Sequence, residues 1–156
     1  MAKFSPFEYT PHSETKHYKK ALEKFIMDRN LPHFVTFNFN RRCSANAANK
    51  YIRRWHARVD RYLLGRNWSK KASDERTEYI GFIENIESNT HVHTMLRYAQ
   101  SNRSVPIDVQ IAFWKKIVPG GQLDIQLARS RRKVASYITK ALKCRAHYES
   151  FLISGC

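Results

Sequence analysis

Two histidines separated by one residue stand in the segment NTHVHTMLRY (89–98). A β-strand sends alternate side chains to opposite faces, so on a strand His91 and His93 would share a face while Val92 points away. Imidazole nitrogens bind divalent metal ions that keep open coordination positions for a phosphate substrate. The same pattern also fits two polar side chains on a solvated strand, and the pair alone leaves both interpretations open.

A metal site needs a third ligand, and the preceding segment offers a carboxylate. EYIGFIEN (78–85) and THVHTMLRY (90–98) are predicted to be strands joined by the turn IESN (86–89). If that turn is a four-residue hairpin loop, Glu84 lies opposite His91, with their Cβ atoms roughly 4.5–5.5 Å apart. We therefore expect Glu84 to be the third ligand. Glu87 is the alternative, because a one-residue slip of the turn would change the geometry.

A tyrosine near the C-terminus is a candidate nucleophile. In SYITK (136–140), Tyr137 and Lys140 are three residues apart, so on a helix they are surface neighbours. Tyr137 falls at the edge of a predicted buried stripe, from which it could rest its ring on the sheet and keep its hydroxyl in water. The alternative is a non-catalytic tyrosine at the edge of the core, with its ring packed on the protein and its hydroxyl in water. The stripe itself consists of Val134, Ile138, Ala141 and Leu142.

The elements that must position these residues form an α+β pattern. Helices are predicted at 13–30 (with Ser13 as N-cap), 44–65, 106–121 and 134–152, and strands at 33–40, 78–85, 90–98 and 122–128. The core order β-α-β-β-α-β, with one helix before and one after, predicts a ferredoxin-like or RRM-like split β-α-β fold with a central antiparallel sheet. Residues 1–12 are expected to be a flexible arm and residues 13–156 a single domain.

In three segments, the spacing of apolar residues predicts which side chains share one face of the strand or helix. In HFVTFNFN (33–40), alternation places Val35, Phe37 and Phe39 on one face and Phe34, Thr36 and Asn38 on the other. The helix at 44–65 has an apolar stripe of Ile52, Trp55, Val59, Tyr62 and Leu63. The strand at 122–128 alternates with Leu123, Ile125 and Leu127 on one face.

The charge balance predicts a polyanionic partner. Lys and Arg number 28 against 13 Asp and Glu, for a net charge of +15, and eight tyrosines and three tryptophans favour nucleic acid over a membrane surface. No apolar run reaches transmembrane length, and three irregularly spaced cysteines favour a reducing cytoplasm over a disulfide framework. Lys19, Lys20 and Lys24 are expected only to solvate a helix face. The expected DNA-binding residues are Arg129, Arg131, Arg132 and Lys133, with Arg41 and Arg42 after the first strand.

Together, FVTFNFN (34–40), HVH (91–93) and YITK (137–140) resemble the three motifs of the His-hydrophobic-His (HUH) endonucleases, the replication initiator (Rep) proteins of rolling-circle replicons. The resemblance covers about residues 33–143 and implies a ferredoxin-like core, a tyrosine nuclease and a single-stranded DNA substrate. It implies that Tyr137 is the nucleophile assisted by Lys140, and that Glu84, His91 and His93 hold Mn²⁺ or Mg²⁺.

The chain departs from some members of that family. Only Tyr137 is suitably placed, as in single-tyrosine members, and no G-x-x-x-x-G-K-[ST] motif follows. A host helicase and polymerase are therefore expected partners. The expected compartment is the cytoplasm of a bacterium or of a plasmid or phage host, or the nucleus for a eukaryotic virus.

Two other kinds of function remain. Within the same superfamily, HUH transposases often carry glutamine where Lys140 stands, and relaxases usually gather three histidines and place the nucleophile near the N-terminus, where this chain has Tyr9. A module that binds single-stranded DNA or RNA without catalysis is the alternative of a different class, although HFVTFNFN lacks the glycines of the RRM motif.

Overall fold

A computed structural model describes residues 12–141 and 151–155 of the chain. Its α-helices are α1 (His12–Asp28), α2 (Ala45–Leu64), α3 (Ile107–Ile117) and α4 (Arg131–Ile138). Its strands are β1 (His33–Asn38), β2 (Glu78–Glu84), β3 (His91–Arg97), β4 (Gln122–Leu127) and β5 (Phe151–Ile153). Short 3₁₀ turns occur at Trp68–Lys70, Ser73–Glu75 and Thr139–Ala141.

The five strands form one antiparallel sheet in the order β4-β1-β3-β2-β5. The first four strands have the order expected of a split β-α-β, with α2 and α3 as the crossovers. The predicted α+β, ferredoxin-like fold class is therefore confirmed, and β5 is an additional edge strand. Within the described residues, none of the helices is long and apolar enough to span a membrane.

The sheet separates two apolar clusters. The cluster beneath α2 and α3 is the larger and contains Val35, Phe37 and Phe39, as the alternation of HFVTFNFN predicts. The cluster beneath α1 and α4 is smaller and is built on Ile80, Phe82 and Met95 of the central strands. Because side chains alternate along β2 and β3, Glu84, His91 and His93 belong to this second face.

Local signals explain the bounds of α2. The Ser44 hydroxyl accepts a hydrogen bond from the Ala47 amide, and Gly65 ends the helix at a φ of 79° while donating its N–H to the Arg61 carbonyl. The predicted stripe is buried except for Tyr62, which is 38% exposed. That part of the prediction is wrong, because Tyr62 is turned about 100° from its neighbour Leu63 and lies outside the buried stripe.

The last predicted helix is wrong at both ends. Ser130 caps α4 by accepting a hydrogen bond from the Lys133 amide, so the basic residues 131–133 form the first helical turn rather than precede it. Phe151 and Leu152, predicted to end the helix, belong to strand β5 (Phe151–Ile153), which pairs with β2. The predicted arm at 1–12 falls outside the described residues except for His12, and so do Leu142 and Tyr148.

Two smaller expectations also change. Leu127 is 71% exposed because β4 is an edge strand of the sheet and Leu127 is its last residue. Helix α1 already includes Ser13, so its start lies at least one residue before the predicted cap.

Thr90 ties three segments together immediately before His91. Its side chain is fully buried, and its hydroxyl accepts a hydrogen bond from the Cys43 amide at 2.8 Å and donates to a nearby carbonyl, that of Cys43 at 3.2 Å. Its backbone N–H donates to the Arg41 carbonyl, and its carbonyl accepts from the Phe39 amide. These bonds join the loop after β1 to the start of β3, and they hold the strand that carries the histidines.

We predict that Thr90→Val destabilises the fold by about 1–3 kcal/mol, because valine has nearly the same shape but leaves the buried Cys43 amide unsatisfied. Thr90→Ser is the matched control, since it keeps the hydroxyl and loses one methyl group. Chemical denaturation monitored by circular dichroism measures both variants. If Thr90→Val unfolds at the wild-type midpoint while Thr90→Ser does not, the hydrogen bonds are not what anchors this segment.

Candidate metal centre

Strand pairing brings five polar side chains to one end of the sheet. In the β2–β3 hairpin Glu84 pairs with His91, which is the predicted register. On the other side of β3, Thr36 of β1 pairs with His93 and Asn38 pairs with His91. Directly paired residues share a face of an antiparallel sheet. The carboxylate and both imidazoles therefore point toward the side of the sheet that carries α4.

Glu84, His91 and His93 could hold a metal ion, because their ligand atoms all lie within 4.8 Å of one another. The Glu84 Oε2 atom is 3.0 Å from His91 Nε2 and 3.5 Å from His93 Nε2. Glu87, the alternative ligand, is exposed and instead forms an ion pair with Arg42 at 2.7 Å. The geometry therefore favours Glu84 as the third member of this group.

Hydrogen bonds on the far side of each imidazole orient the Nε2 atoms. His91 Nδ1 lies 3.2 Å from the Asn89 carbonyl, which can accept a hydrogen bond from an Nδ1–H. The Nε2 atom of His91 faces the Glu84 carboxylate. His93 Nδ1 lies 3.0 Å from the Thr36 hydroxyl. Such outer partners commonly fix the orientation of metal-binding histidines.

Two buried atoms of the group support the fit to a cation. Glu84 Oε1 and His93 Nε2 are buried, and within the described residues neither forms a well-aligned hydrogen bond; the nearest contact of His93 Nε2 is the long one to Glu84 Oε2 at 3.5 Å. Buried polar groups without partners are unusual in proteins, and they are expected where a ligand completes the site. A divalent ion would satisfy both atoms, and nitrogen with oxygen donors suits Mn²⁺ or another divalent metal.

The Glu84 carboxyl is held in its charged form. Its pKa is lowered to about 2, chiefly by the interaction with His93, although desolvation by burial opposes this. The charge of His93, the hydrogen bond from His91 and the positive charge of Lys140 lower the pKa further. Glu84 is thus anionic at neutral pH, as a metal ligand would need to be, and Lys140 is close enough to affect it.

Tyr137 lies beside this group on α4. Its ring centroid is 5.4 Å from that of His93 and 6.3 Å from that of Phe34, which itself stacks on His93 at 5.6 Å. The Nζ atom of Lys140 is 3.7 Å from the centroid of the Tyr137 ring. Tyr137 is 45% exposed, so a substrate can reach it from solvent. The structure thus places Tyr137 and Lys140 next to the three candidate ligands.

The predicted DNA-binding residues lie at different distances from Tyr137. Lys133 and Arg132 are exposed on α4, and Lys133 lies one helical turn before Tyr137 on the same face. Arg131 starts the helix and donates a hydrogen bond to Asn30 at 2.8 Å. Arg129 is exposed in the segment before α4. Of the four residues, Lys133 is the one that shares a helix face with Tyr137.

Arg41 and Arg42 lie in the loop after β1, next to the β2–β3 turn. The Arg41 carbonyl accepts the Thr90 amide, and its guanidinium carbon is 5.9 Å from the Tyr51 ring centroid. Arg42 is held in the ion pair with Glu87. The loop is therefore close to the histidine end of β3, but Arg42 would have to exchange Glu87 for a phosphate.

Sequence reasoning assigned no role to Phe34 and Thr36. It placed both on the face of β1 opposite Val35 and Phe37, and that face is where the structure finds them touching His93. The missing information was the neighbour and register of β1, because Thr36 and His93 are far apart in the sequence. The only sign of these contacts in the sequence was the alternation of side chains along β1, which puts Phe34 and Thr36 on one face.

Comparisons with known proteins add no assignment. No family model matches the chain, and neither the curated proteins nor the solved structures include a significant match.

We predict that Glu84→Gln weakens Mn²⁺ binding by at least about tenfold, since an amide oxygen is a neutral and poorer ligand than a carboxylate. Glu87→Gln is the matched control and should leave the affinity unchanged. Titration calorimetry on protein stripped with EDTA gives both values. Equal affinity of Glu84→Gln and the wild type would remove Glu84 from the ligand set, and a loss in Glu87→Gln instead would transfer the role to that residue.

In the metal-free protein, Glu84 should stabilise the fold in a defined pH range. Because its pKa is lowered to about 2 in the folded chain, its contribution is present above its usual value of 4.5 and is lost as the pH falls toward 2. The stability advantage of the wild type over Glu84→Gln should therefore shrink through that interval. Urea unfolding at several pH values measures the difference, and a constant or growing difference on acidification contradicts the assignment.

Proposed function

We propose that this chain is a metal-dependent single-stranded DNA endonuclease and strand transferase that forms a covalent tyrosine link, as rolling-circle replication initiators do. The observation that carries the proposal is the position of Tyr137. A tyrosine accessible to solvent lies 5.4 Å, ring to ring, from His93 of a group that could bind a divalent ion. A nucleophile and a phosphate-binding cation are the two parts that this chemistry requires.

Glu84, His91 and His93 would hold Mn²⁺ or Mg²⁺. When bound, the ion would supply Lewis acidity toward a non-bridging oxygen of the scissile phosphate. Tyr137 would attack the phosphorus through its phenol oxygen and release the phenol proton. The new bond joins that oxygen to phosphorus, and the bond from phosphorus to the 3′ oxygen breaks. The products are a 5′-phosphotyrosine and a strand whose 3′ oxygen takes up a proton.

The linked intermediate explains joining as well as cutting. Because the phosphodiester is exchanged for a phosphotyrosyl ester, a later 3′-hydroxyl can attack the same phosphorus and release Tyr137 without another energy source. The free 3′-hydroxyl formed at the first step could also prime DNA synthesis by a host polymerase. A host helicase, or a further part of a longer chain, would open the duplex, since residues 1–156 carry no P-loop motif.

Lys140 is proposed to assist Tyr137 electrostatically. Its ammonium group lies over the phenol ring, 3.7 Å from the centroid, where it favours negative charge developing on the phenol. It also contributes to the low pKa of Glu84, so it lies between the nucleophile and the candidate ligands. A lysine in this position can stabilise charge during attack without being consumed.

The architecture favours catalysis over the binding mode of an RRM. An RRM binds bases on an open face of its sheet, whereas α2 and α3 cover one face here and α1 and α4 pack on the other. Within the superfamily, the candidate group here has two histidines and Glu84 where relaxases usually gather three histidines, and Lys140 differs from the glutamine of many transposases. These features favour an initiator over the two related enzyme classes.

We predict that Tyr137→Phe abolishes the covalent protein–DNA adduct while changing the melting temperature little, because only the phenol oxygen is removed. Random single-stranded oligonucleotides incubated with Mn²⁺ and resolved on a denaturing gel reveal the adduct as a mass shift. His91→Ala should also prevent the adduct but leave most salt-sensitive DNA binding intact, because charge dominates the affinity.

Two further variants define the outcome. Lys140→Ala should slow formation of the adduct by about 10–100-fold without eliminating it, in line with loss of one electrostatic contact in a catalytic site. Tyr148→Phe, at a position outside the described residues, should behave as the wild type. Adduct formation that persists in Tyr137→Phe and disappears in Tyr148→Phe would reassign the nucleophile, and indifference to both changes would exclude a tyrosine nuclease.

A further inference from the structure

A cleft lined by arginines and aromatic rings lies on the α2 and α3 side of the sheet, opposite the candidate metal centre. It has a volume of about 510 Å³ and is lined by Ala57, Arg58, Arg61, Tyr62, Trp68 and Phe113. A neighbouring cleft of about 450 Å³ shares Arg61 and Tyr62 with it and adds Arg103 and Ser104. The two form one surface, which we call the α2 groove.

The charge of the α2 groove is uncompensated. Its three arginines, Arg58, Arg61 and Arg103, are exposed, and none of them forms an ion pair within the described part of the chain. No acidic side chain among the described residues lines either cleft. By contrast, Lys19, Lys24 and Lys71 each pair with a carboxylate on their own helix or turn. The groove is therefore suited to an anionic partner.

Three aromatic side chains stand among these arginines. Tyr62 is exposed, while Trp68 and Phe113 are partly buried, and the Tyr62 and Phe113 ring centroids are 6.4 Å apart. The guanidinium carbon of Arg58 lies 6.0 Å from the Phe113 centroid. Rings with free faces stack on nucleobases, and interleaved arginines contact the phosphates between them. An acidic protein partner would use the charges but would have no need of the rings.

The fold holds the groove in place. The positive φ of Gly65 ends α2, and the Trp68 amide donates to the Gly65 carbonyl, which keeps Trp68 close to the last turn of the helix. The Ser101 hydroxyl donates to the Leu63 carbonyl at 2.6 Å and accepts the Arg103 amide at 3.1 Å. Arg103 is thereby fixed beside the same helix end. Residues that are already ordered lose less conformational entropy when a ligand binds.

We propose that the α2 groove binds a single-stranded nucleic acid, with Tyr62, Trp68 and Phe113 stacking on bases and Arg58, Arg61 and Arg103 contacting phosphates. This surface is separated from Tyr137 by the thickness of the sheet, so it is a second contact region and not the edge of the nuclease site. The binding needs neither the metal nor the tyrosine reaction, and it does not depend on the function proposed above.

Tryptophan fluorescence gives a direct test because the other two tryptophans are shielded from a ligand in the groove and contribute only a constant background. Trp55 and Trp114 are fully buried, whereas Trp68 is partly exposed in the groove. Titration with a short oligothymidylate in EDTA, which prevents metal-dependent cleavage, should quench the emission. Trp68→Phe should lose the quenching while retaining binding measured by fluorescence anisotropy of a labelled oligonucleotide. Oligoglutamate of similar charge should bind weakly and leave the emission unchanged.

Matched variants localise the effect. Tyr62→Ala should weaken oligothymidylate binding by about fivefold or more, the loss expected for one stacked base. Tyr18→Ala is the control, because Tyr18 is 40% exposed against 38% for Tyr62 but lies on α1, on the other side of the sheet. The double change Arg58→Gln and Arg61→Gln should weaken binding further. Its matched control is the double change Lys16→Gln and Lys20→Gln, which removes the same charge from α1.

The proposal is supported if quenching of Trp68 follows oligothymidylate concentration and the groove variants lose more affinity than their α1 controls. It is overturned if oligothymidylate leaves the Trp68 emission unchanged, if oligoglutamate quenches it equally, or if both sets of variants lose equal affinity. Since EDTA is present throughout, these outcomes are independent of whether Tyr137 forms a DNA adduct.

Discussion

The pairing register of the β2–β3 hairpin is the constraint on which the candidate site depends. It places Glu84 directly opposite His91, and the alternation of β3 then brings His93 to the same face. A slip of one residue would turn Glu84 to the face covered by α2 and would separate the carboxylate from both imidazoles. Asn85, with a φ of 54°, begins the turn, and buried Thr90 closes it. Turn chemistry outside the site therefore controls the distance between ligands inside it.

The same register places the charged carboxylate of Glu84 in a largely buried position, where neighbouring positive groups must stabilise it. A largely buried carboxylate would ordinarily take up a proton, because burial disfavours its charged form. Here the two imidazoles and the Lys140 ammonium outweigh the desolvation, so Glu84 remains charged. Removing a histidine would leave that charge less compensated. The three candidate ligands therefore also depend on one another for stability, and they lie on the same strands as Phe82 and Met95 of the second apolar cluster.

The features that depend on short-range sequence patterns could be predicted from the sequence. Strand parity placed Val35 and Phe37 in the core, and hairpin loop length gave the Glu84–His91 pair. The roles of Phe34 and Thr36 could not be predicted, because they follow from β1 lying beside β3 in a particular register, which no local pattern specifies. The helix ending at 152 was wrong for a related reason. Phe151–Ile153 is apolar enough for either structure, and pairing with β2 decides in favour of a strand.

The distribution of charge shows why a net charge of +15 does not by itself locate a binding surface. Near the sheet, Arg29 and Arg97 both pair with Glu78, and Arg42 pairs with Glu87, so these cations already have partners. Exposed ion pairs are weak and can exchange for phosphate, but each exchange leaves a carboxylate close to the incoming anion. Cations without such a neighbour avoid that repulsion. Several cations of the described residues meet this condition, and those of the α2 groove also stand beside aromatic rings, which add a contact that charge alone cannot provide.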